Sequence, residues 1–397
     1  MATSVVSPPS PRLASIDTYR GAVMLLMMAE VLGTAEVAQA LPNSFFWHWA
    51  AAAQTHVEWV GCSLHDLIQP SFSFLVGVAL PFSIASRQAR GQPKGGIFAH
   101  AIWRAALLIL LGVFLRSIGR AQTNWTFEDT LTQIGLGYPL LVLLGFQSPR
   151  FVWIAFLTIV VGYWAAWALY PLPAAGFDYG AVGVPADWPH HARGFAAHWN
   201  KNANLGAAFD QWFLNLFPRP VPFVANSGGY LTLSFIPTLG TMSLGVIAGD
   251  WLRAPLSEMN RIRRMIGVGC AAIVLGLALH GLGICPLVKR IWTPSWTLLS
   301  GGCCIVLLAA FHVVIDLKQK GAWLFPLRVI GMNSIAAYCM AHLLEGFVDQ
   351  SLRTHFGPHV FELAGKTYAP VMHGLMLLAL FWLILLWMYK RRLFLKI

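Results

Sequence analysis

Residues 369–390 read APVMHGLMLLALFWLILLWMYK, with Arg391 and Arg392 directly after. From Ala369 to Tyr389 there is no Lys, Arg, Asp or Glu. A helix of about 20 such residues crosses the hydrocarbon core of a bilayer. The basic cluster at its end marks the cytoplasmic face. The same composition runs through the chain: of 397 residues, 57% are apolar and 11% charged, where a soluble globular domain carries about 25% charged residues. Mean hydropathy is +0.62. A water-soluble protein cannot hide that much apolar surface. Disordered, collagen-like and small disulfide-rich classes are excluded as well. The apolar runs are continuous, whereas barrel strands would show roughly ten-residue segments of alternating polarity, so the spans are helices.

Working outward from that segment, the pattern predicts an all-α polytopic membrane helix bundle of about ten transmembrane helices. The spans are expected near 17–41, 66–86, 97–118, 130–148, 150–170, 230–252, 264–283, 292–315, 323–349 and 369–390. A transmembrane domain over 17–390 would then lie between an N-terminal tail, 1–16, and a C-terminal tail, 391–397. Arg12, then Arg87, Arg90 and Lys94, then Arg150, Arg253, Arg261, Arg263, Arg264, Lys318, Lys320 and the terminal basic cluster fall on one side of this scheme. Both termini are therefore expected in the cytoplasm. This bias accounts for much of the net charge of +11, although Arg116, Arg120, Lys289 and Arg290 fall on the opposite side, and no nucleic-acid partner is implied. Residues 1–12, MATSVVSPPSPR, have no apolar core, so the first span is expected to serve as an uncleaved anchor.

Two segments fall on the outer side. Residues 42–65 are short and rich in Trp and His, and 171–229 form a long loop rich in Pro, Gly, Trp and Asn. Its aromatic content predicts an ordered, Trp-rich cap. Trp188, Trp199 and Trp212, with Trp251 just beyond, suit interfacial anchoring and also sugar stacking, with anchoring the simpler reading. Asp187, His190, His191 and His198 in this loop match no zinc spacing, and no metal is expected. Gly245 and Gly249 form a G-x-x-x-G for close helix packing. Asn124–Trp125–Thr126 fits a glycosylation acceptor, relevant only in a eukaryotic secretory pathway. Four of the six cysteines lie in apolar runs, and Cys62 and Cys285 both fall near the outer face, which leaves a disulfide between them open.

The stretch richest in chemistry runs from His56 to Pro70, HVEWVGCSLHDLIQP, into SFSFLVG. The first span opens IDTYRG at 16–21. With Trp103–Arg104, Trp292–Thr293–Pro294–Ser295, Gly331–Met332–Asn333–Ser334–Ile335 and the ending YKRRLFLKI, these segments form an ordered set. The set resembles the heparan-alpha-glucosaminide N-acetyltransferase family of membrane acyltransferases. That family shows D-x-F-R-G, then H-x-x-W-x-G-x-x-x-x-D-L-x-x-P, then F-x-F-x-x-G. The matching positions here are Asp17, Arg20, Gly21, His56, Trp59, Gly61, Asp66, Leu67, Pro70, Phe72, Phe74 and Gly77. The resemblance implies acetyl transfer from acetyl-CoA to a glucosamine amine across the membrane, with His56 as the catalytic residue. It implies acetyl-CoA and an amino sugar or glycan acceptor as partners, besides the lipid bilayer; a homodimer is admitted. The lysosomal members carry an added N-terminal luminal domain and span, so this chain is expected to be a shorter relative in a prokaryotic cytoplasmic membrane. Where the family has an Asn in the first span, this chain has Val31 with Glu30 beside it, and Thr132–Gln133 stand where the family has Gln–Arg.

Thioester acyl transfer needs a base for the acceptor's proton, and a histidine titrating near 6.5 serves near neutral pH. His56 could equally attack first and carry the acyl group. Asp66 is the first candidate to orient it, with Glu58 and Glu30 as alternatives. Asp17 and Arg20 lie one helical turn apart and can pair. Arg104 is a basic residue within a span, which is costly unless paired or functional. Arg20 and Arg104 are the candidate CoA-binding residues. Trp59, Asn333, His342 and Glu345 are the candidate substrate-binding residues. Ser334, Tyr338, His342, Glu345 and Asp349, spaced by four, four, three and four, would form one polar face on the ninth span. A transporter with polar residues and no chemistry, or an acyltransferase-like scaffold without activity, would share most of these features.

Overall fold

The computed structural model describes residues 13–395. Arg12, the tail 1–12 and the terminal Lys396–Ile397 lie outside the described residues. The α-helices are α1 Ala14–Met28, α2 Thr34–Ala40, α3 Phe45–Gln54, α4 Ile68–Ala89, α5 Lys94–Ser117, α6 Thr130–Gly145, α7 Pro149–Ala168, α8 Leu205–Phe213, α9 Phe235–Arg253, α10 Glu258–Gly281, α11 Pro294–Phe311, α12 Phe325–Met332, α13 Ser334–Leu343, α14 Glu345–Phe356 and α15 Ala369–Lys390. Among the described residues there is no strand beyond one isolated antiparallel bridge, Val60 with Val288.

The protein is a multi-pass membrane protein of the expected class. Among the described residues seven helices are long and apolar enough to cross a bilayer, and two bent pairs raise the number to nine. The shorter apolar helix α6 occupies the remaining predicted segment. The bent pairs show that the first and ninth spans are each broken rather than one continuous helix. Ala14–Leu32 meets α2 at 44°, and Ala322–Met332 meets α13 at 69°. The ninth segment breaks again at Leu344, between α13 and α14. Its polar stripe is thus divided, with Ser334, Tyr338 and His342 on α13 and Glu345 and Asp349 on α14.

The chain folds as two compact units. One comprises residues 59–61 and 73–306. The expected G-x-x-x-G packing is present there: a methyl group on Gly245 would strike the Phe74 carbonyl, so α9 and α4 meet backbone to backbone. The loop 171–229 folds as an ordered part of this unit, and its tryptophans depart from the anchoring expectation. Trp199 is 1% and Trp188 7% exposed. Both join Trp59, Trp167 and Tyr163 in one apolar cluster closed by Leu231, Val288 and Ile291. A tryptophan so enclosed contributes burial rather than a membrane or sugar contact; Trp212 alone of the loop's three remains exposed. Cys285 is buried and Cys62 exposed, and no Cys62–Cys285 disulfide forms.

Polar groups lie beneath this cluster. The buried Gln133 amide nitrogen reaches the carbonyl oxygens of Phe127, Leu231 and Thr232 at 2.7, 3.2 and 3.2 Å. Arg219 bonds the carbonyls of Leu214 and Trp125. The Thr232 N–H donates to Asp210 Oδ2 at 2.9 Å. Burial pushes the Asp210 carboxyl up to about 6, with the Thr232 hydrogen bonds opposing and Glu128 reinforcing the shift. A group whose folded pKa is raised stabilises the fold below its unfolded pKa, and that stability is lost as pH rises through the folded value. The Asp210 contribution is therefore complete below the ordinary value of 3.8 and gone above about 6. It is worth at most roughly 3 kcal/mol. Asp210→Asn should flatten the pH dependence of the thermal midpoint of the purified protein across that window. An unchanged slope would show that other groups set it.

The second unit comprises residues 13–58, 62–72 and 307–395. Here α1 packs on α12 at glycine contacts. A methyl group on Gly21 would strike the Leu327 carbonyl, and one on Gly331 the Asp17 carbonyl. The glycines of R-G and of G-M-N-S thus serve one close helix crossing. Met24, Met28, Val329, Ile330, Met340 and Phe381 form the adjoining core. Tyr19 stacks on Phe311 at 5.1 Å and its hydroxyl lies 3.0 Å from Ser71 Oγ. Asp316 accepts from the Ser15 N–H at 3.3 Å and bonds His312 at 2.9 Å, satisfying the start of α1. Asn333 stands at the break between α12 and α13. Its amide donates to the Leu393 carbonyl at 2.9 Å and accepts from the Leu395 N–H at 3.2 Å, which ties down the C-terminal segment.

Candidate active site

The segment between α3 and α4 carries the site. Ser63 starts a tight turn: its Oγ accepts from the Asp66 N–H at 3.3 Å and the turn continues as a 3-10 helix, His65–Leu67. This aims the Asp66 carboxylate back at the preceding loop, where it is fully buried. Asp66 Oδ2 accepts from the Ser63 N–H at 2.9 Å, Ser63 Oγ at 3.0 Å and the Val57 N–H at 3.3 Å. Asp66 Oδ1 lies 2.7 Å from His56 Nδ1, while the His56 side chain is 34% exposed. The predicted pair is thus joined, with its acid inside and its imidazole reachable. A hydrogen bond from Nδ1–H to a carboxylate leaves Nε2 as the basic nitrogen.

A residue that sequence reasoning missed stands beside it. His65 is 2% exposed, and its ring centroid is 4.5 Å from that of His56. Its Nε2 faces Glu30 Oε2 at 3.8 Å. Glu30 is within electrostatic range of His65, His56 and His342. The unit therefore brings His56 and His65 beside Asp66 and Glu30. A histidine just before the motif's aspartate gave no signal of its own. Its importance comes from a contact with a helix 35 residues upstream.

The other predicted residues separate by environment. Arg20 pairs with Asp17 at 3.3 Å, as the spacing suggested. Arg104 donates to Tyr138 Oη at 3.0 Å and lies 4.7 Å from the centre of that ring, and its Nε is buried with no hydrogen-bond partner. Trp59 is 2% exposed, edge-on to Trp188 at 5.6 Å. The next turn is fixed by Gly61 N–H donating to the Leu287 carbonyl at 3.0 Å. The Trp and Gly of the motif therefore anchor its middle. His342 stacks on Tyr338 at 4.3 Å, with Nδ1 2.9 Å from the Tyr338 carbonyl. Glu345 opens α14. Among the described residues no three of His, Cys, Asp and Glu gather to hold a metal ion.

Fold and site together define a multi-pass membrane protein with a histidine held by a buried carboxylate. No protein-family model matches the chain. It is similar to the heparan-alpha-glucosaminide N-acetyltransferase of Mus musculus, at 26% identity over 433 residues covering 97% of this chain. It is also similar to that of Homo sapiens, at 25% identity over 392 residues covering 87% of this chain. The chain spans 60% and 55% of the length of those two proteins. The similarity to both proteins extends along most of the chain.

Proposed function

We propose that the protein is a transmembrane acetyltransferase. It takes acetyl from cytoplasmic acetyl-CoA and delivers it to the amine of an amino sugar or glycan on the opposite side. The observation that carries this reading is the 2.7 Å contact between a reachable His56 and a fully buried Asp66. In the reaction Asp66 fixes the His56 tautomer, and Nε2 takes the proton of the attacking amine. The nitrogen bonds to the thioester carbonyl carbon, the C–S bond breaks, and His56 returns the proton to the CoA sulfur. The Asp66 charge stabilises the imidazolium in between.

Arg104 and Arg20 are assigned to the CoA phosphates and Glu345 and His342 to the acceptor. The unpartnered Arg104 Nε supports the first assignment, since charge-assisted bonds to phosphate are the strong kind. Arg104→Ala should weaken acetyl-CoA binding by roughly ten- to a hundredfold, corresponding to about 1.5–3 kcal/mol. Titration of the purified variant with acetyl-CoA reads this directly, and wild-type affinity would remove the assignment. Trp59 holds the 59–61 turn, and Asn333 holds the C-terminal segment.

Broken helices such as α12–α13 also occur in transporters. Sealed proteoliposomes loaded with amino sugar and given external acetyl-CoA separate the two readings. The transferase releases CoA outside and acetylated sugar inside, in equal amounts, from one orientation. A transporter moves the sugar and leaves acetyl-CoA intact.

A further inference from the structure

The mechanism above leaves the acyl carbonyl oxygen without a partner. That oxygen takes on negative charge when the amine adds, and a donor aimed at it is commonly a large catalytic contribution. One residue in the site has the properties of such a donor. His65 is 2% exposed, and its Nδ1 is buried with no hydrogen-bond partner. An unfilled buried nitrogen is costly unless something else fills it. The 3-10 turn His65–Leu67 that positions Asp66 also sets the backbone of His65, and its side chain is buried.

The neighbours set what this nitrogen can do. Glu30 Oε2 lies 3.8 Å from His65 Nε2, close enough for an ion pair. With Nε2 turned toward Glu30, Nδ1 is the nitrogen turned away from the carboxylate, and it donates when it carries the ring hydrogen. The His56 and His65 ring centres are 4.5 Å apart. A group held against His56 for proton transfer therefore comes within reach of His65. Two imidazole–carboxylate pairs lie side by side, His56 with Asp66 and His65 with Glu30. The first pair suits a base and the second a hydrogen-bond donor.

We infer that His65, held by Glu30, is a second catalytic residue that donates an Nδ1 hydrogen bond to the acyl carbonyl oxygen during transfer. The inference rests on the acetyltransferase reading. As the amine nitrogen bonds to the carbonyl carbon, the C=O π pair moves onto oxygen, where the His65 Nδ1–H stabilises it. His56 holds the amine proton. The pair then returns to re-form C=O, the C–S bond breaks, and CoA leaves as the thiol with the proton from His56. His65 neither gains nor loses a proton in the cycle.

Two isosteric changes separate the nitrogens. The Asn amide nitrogen falls near the position of Nδ1, and that of Gln near Nε2. The test uses the full chain in detergent, radiolabelled acetyl-CoA, and the amino sugar that the wild type accepts fastest from a panel. His65→Gln is expected to lower kcat by on the order of 10²–10³-fold, with KM for acetyl-CoA within about twofold. His65→Asn is expected to stay within about tenfold of wild type. A His65→Gln enzyme at the wild-type rate overturns the inference. So does His65→Asn falling as far as His65→Gln, which is the mark of a structural role. If the wild type accepts no amino sugar, the acetyltransferase reading falls and this inference with it. If wild type is active and His56→Ala idle while both His65 variants are unimpaired, only this inference falls.

Discussion

His56→Ala should abolish most acetyl transfer while leaving the fold and acetyl-CoA binding in place. The side chain is 34% exposed at its edge of the site and its Nδ1 contact is with Asp66, so its removal opens no large cavity. What goes is the proton acceptor, a loss typically on the order of 10²–10⁴-fold in kcat. His56→Asn keeps a polar group of similar reach but no basic nitrogen, and should fail to the same extent. Steady-state rates with acetyl-CoA and an accepted amino sugar check both variants. The same proteins separate two chemical routes. If His56 carries the acyl group, wild type incubated without acceptor releases CoA once per site and labels His56. A direct transfer gives no such release, and we expect the direct route because Asp66 is placed to hold a base.

Asp66→Asn should be nearly as damaging, for a different reason. Three donors converge on Asp66 Oδ2: the Ser63 N–H, Ser63 Oγ and the Val57 N–H. An asparagine would satisfy them by placing its oxygen there, which turns its NH₂ toward His56 Nδ1. That nitrogen would become an acceptor and the ring proton would move to Nε2, so His56 could no longer take a proton from the amine. The expected loss is on the order of 10³–10⁴-fold in kcat with binding retained. Asp66→Ala should cost stability as well, because the donors around the site would lose their partner. A fully active Asp66→Asn enzyme would separate the pair from catalysis.

The sequence carried the fold because the signal repeats: long runs such as 369–390 have one physical solution in lipid. It carried the pairing of Asp17 with Arg20 because three residues is one helical turn, and the Gly245 contact because small residues let backbones meet. The His56–Asp66 contact was legible through an ordered set of short motifs, not through spacing, since ten residues of irregular chain can place two side chains anywhere. Three features were hidden. The stripe from Ser334 to Asp349 keeps helical spacing straight through the break at Leu344, because periodicity records faces and not continuity. Trp188 and Trp199 read as interfacial anchors, since what encloses them is Tyr163, Trp167 and Ile291, distant in sequence. His65 gave no sign because its partner Glu30 belongs to the continuation of the first span.

The central claim is that the chain moves acetyl from CoA to an amino sugar. The most direct measurement is incubation of membranes containing it with radiolabelled acetyl-CoA and a panel of amino sugars, following labelled sugar and free CoA thiol together. The account predicts both products in equal amounts above membranes lacking the protein, with His56→Asn at background. Labelled sugar formed at the wild-type rate by His56→Asn, or sugar crossing the membrane with no CoA released, would contradict it.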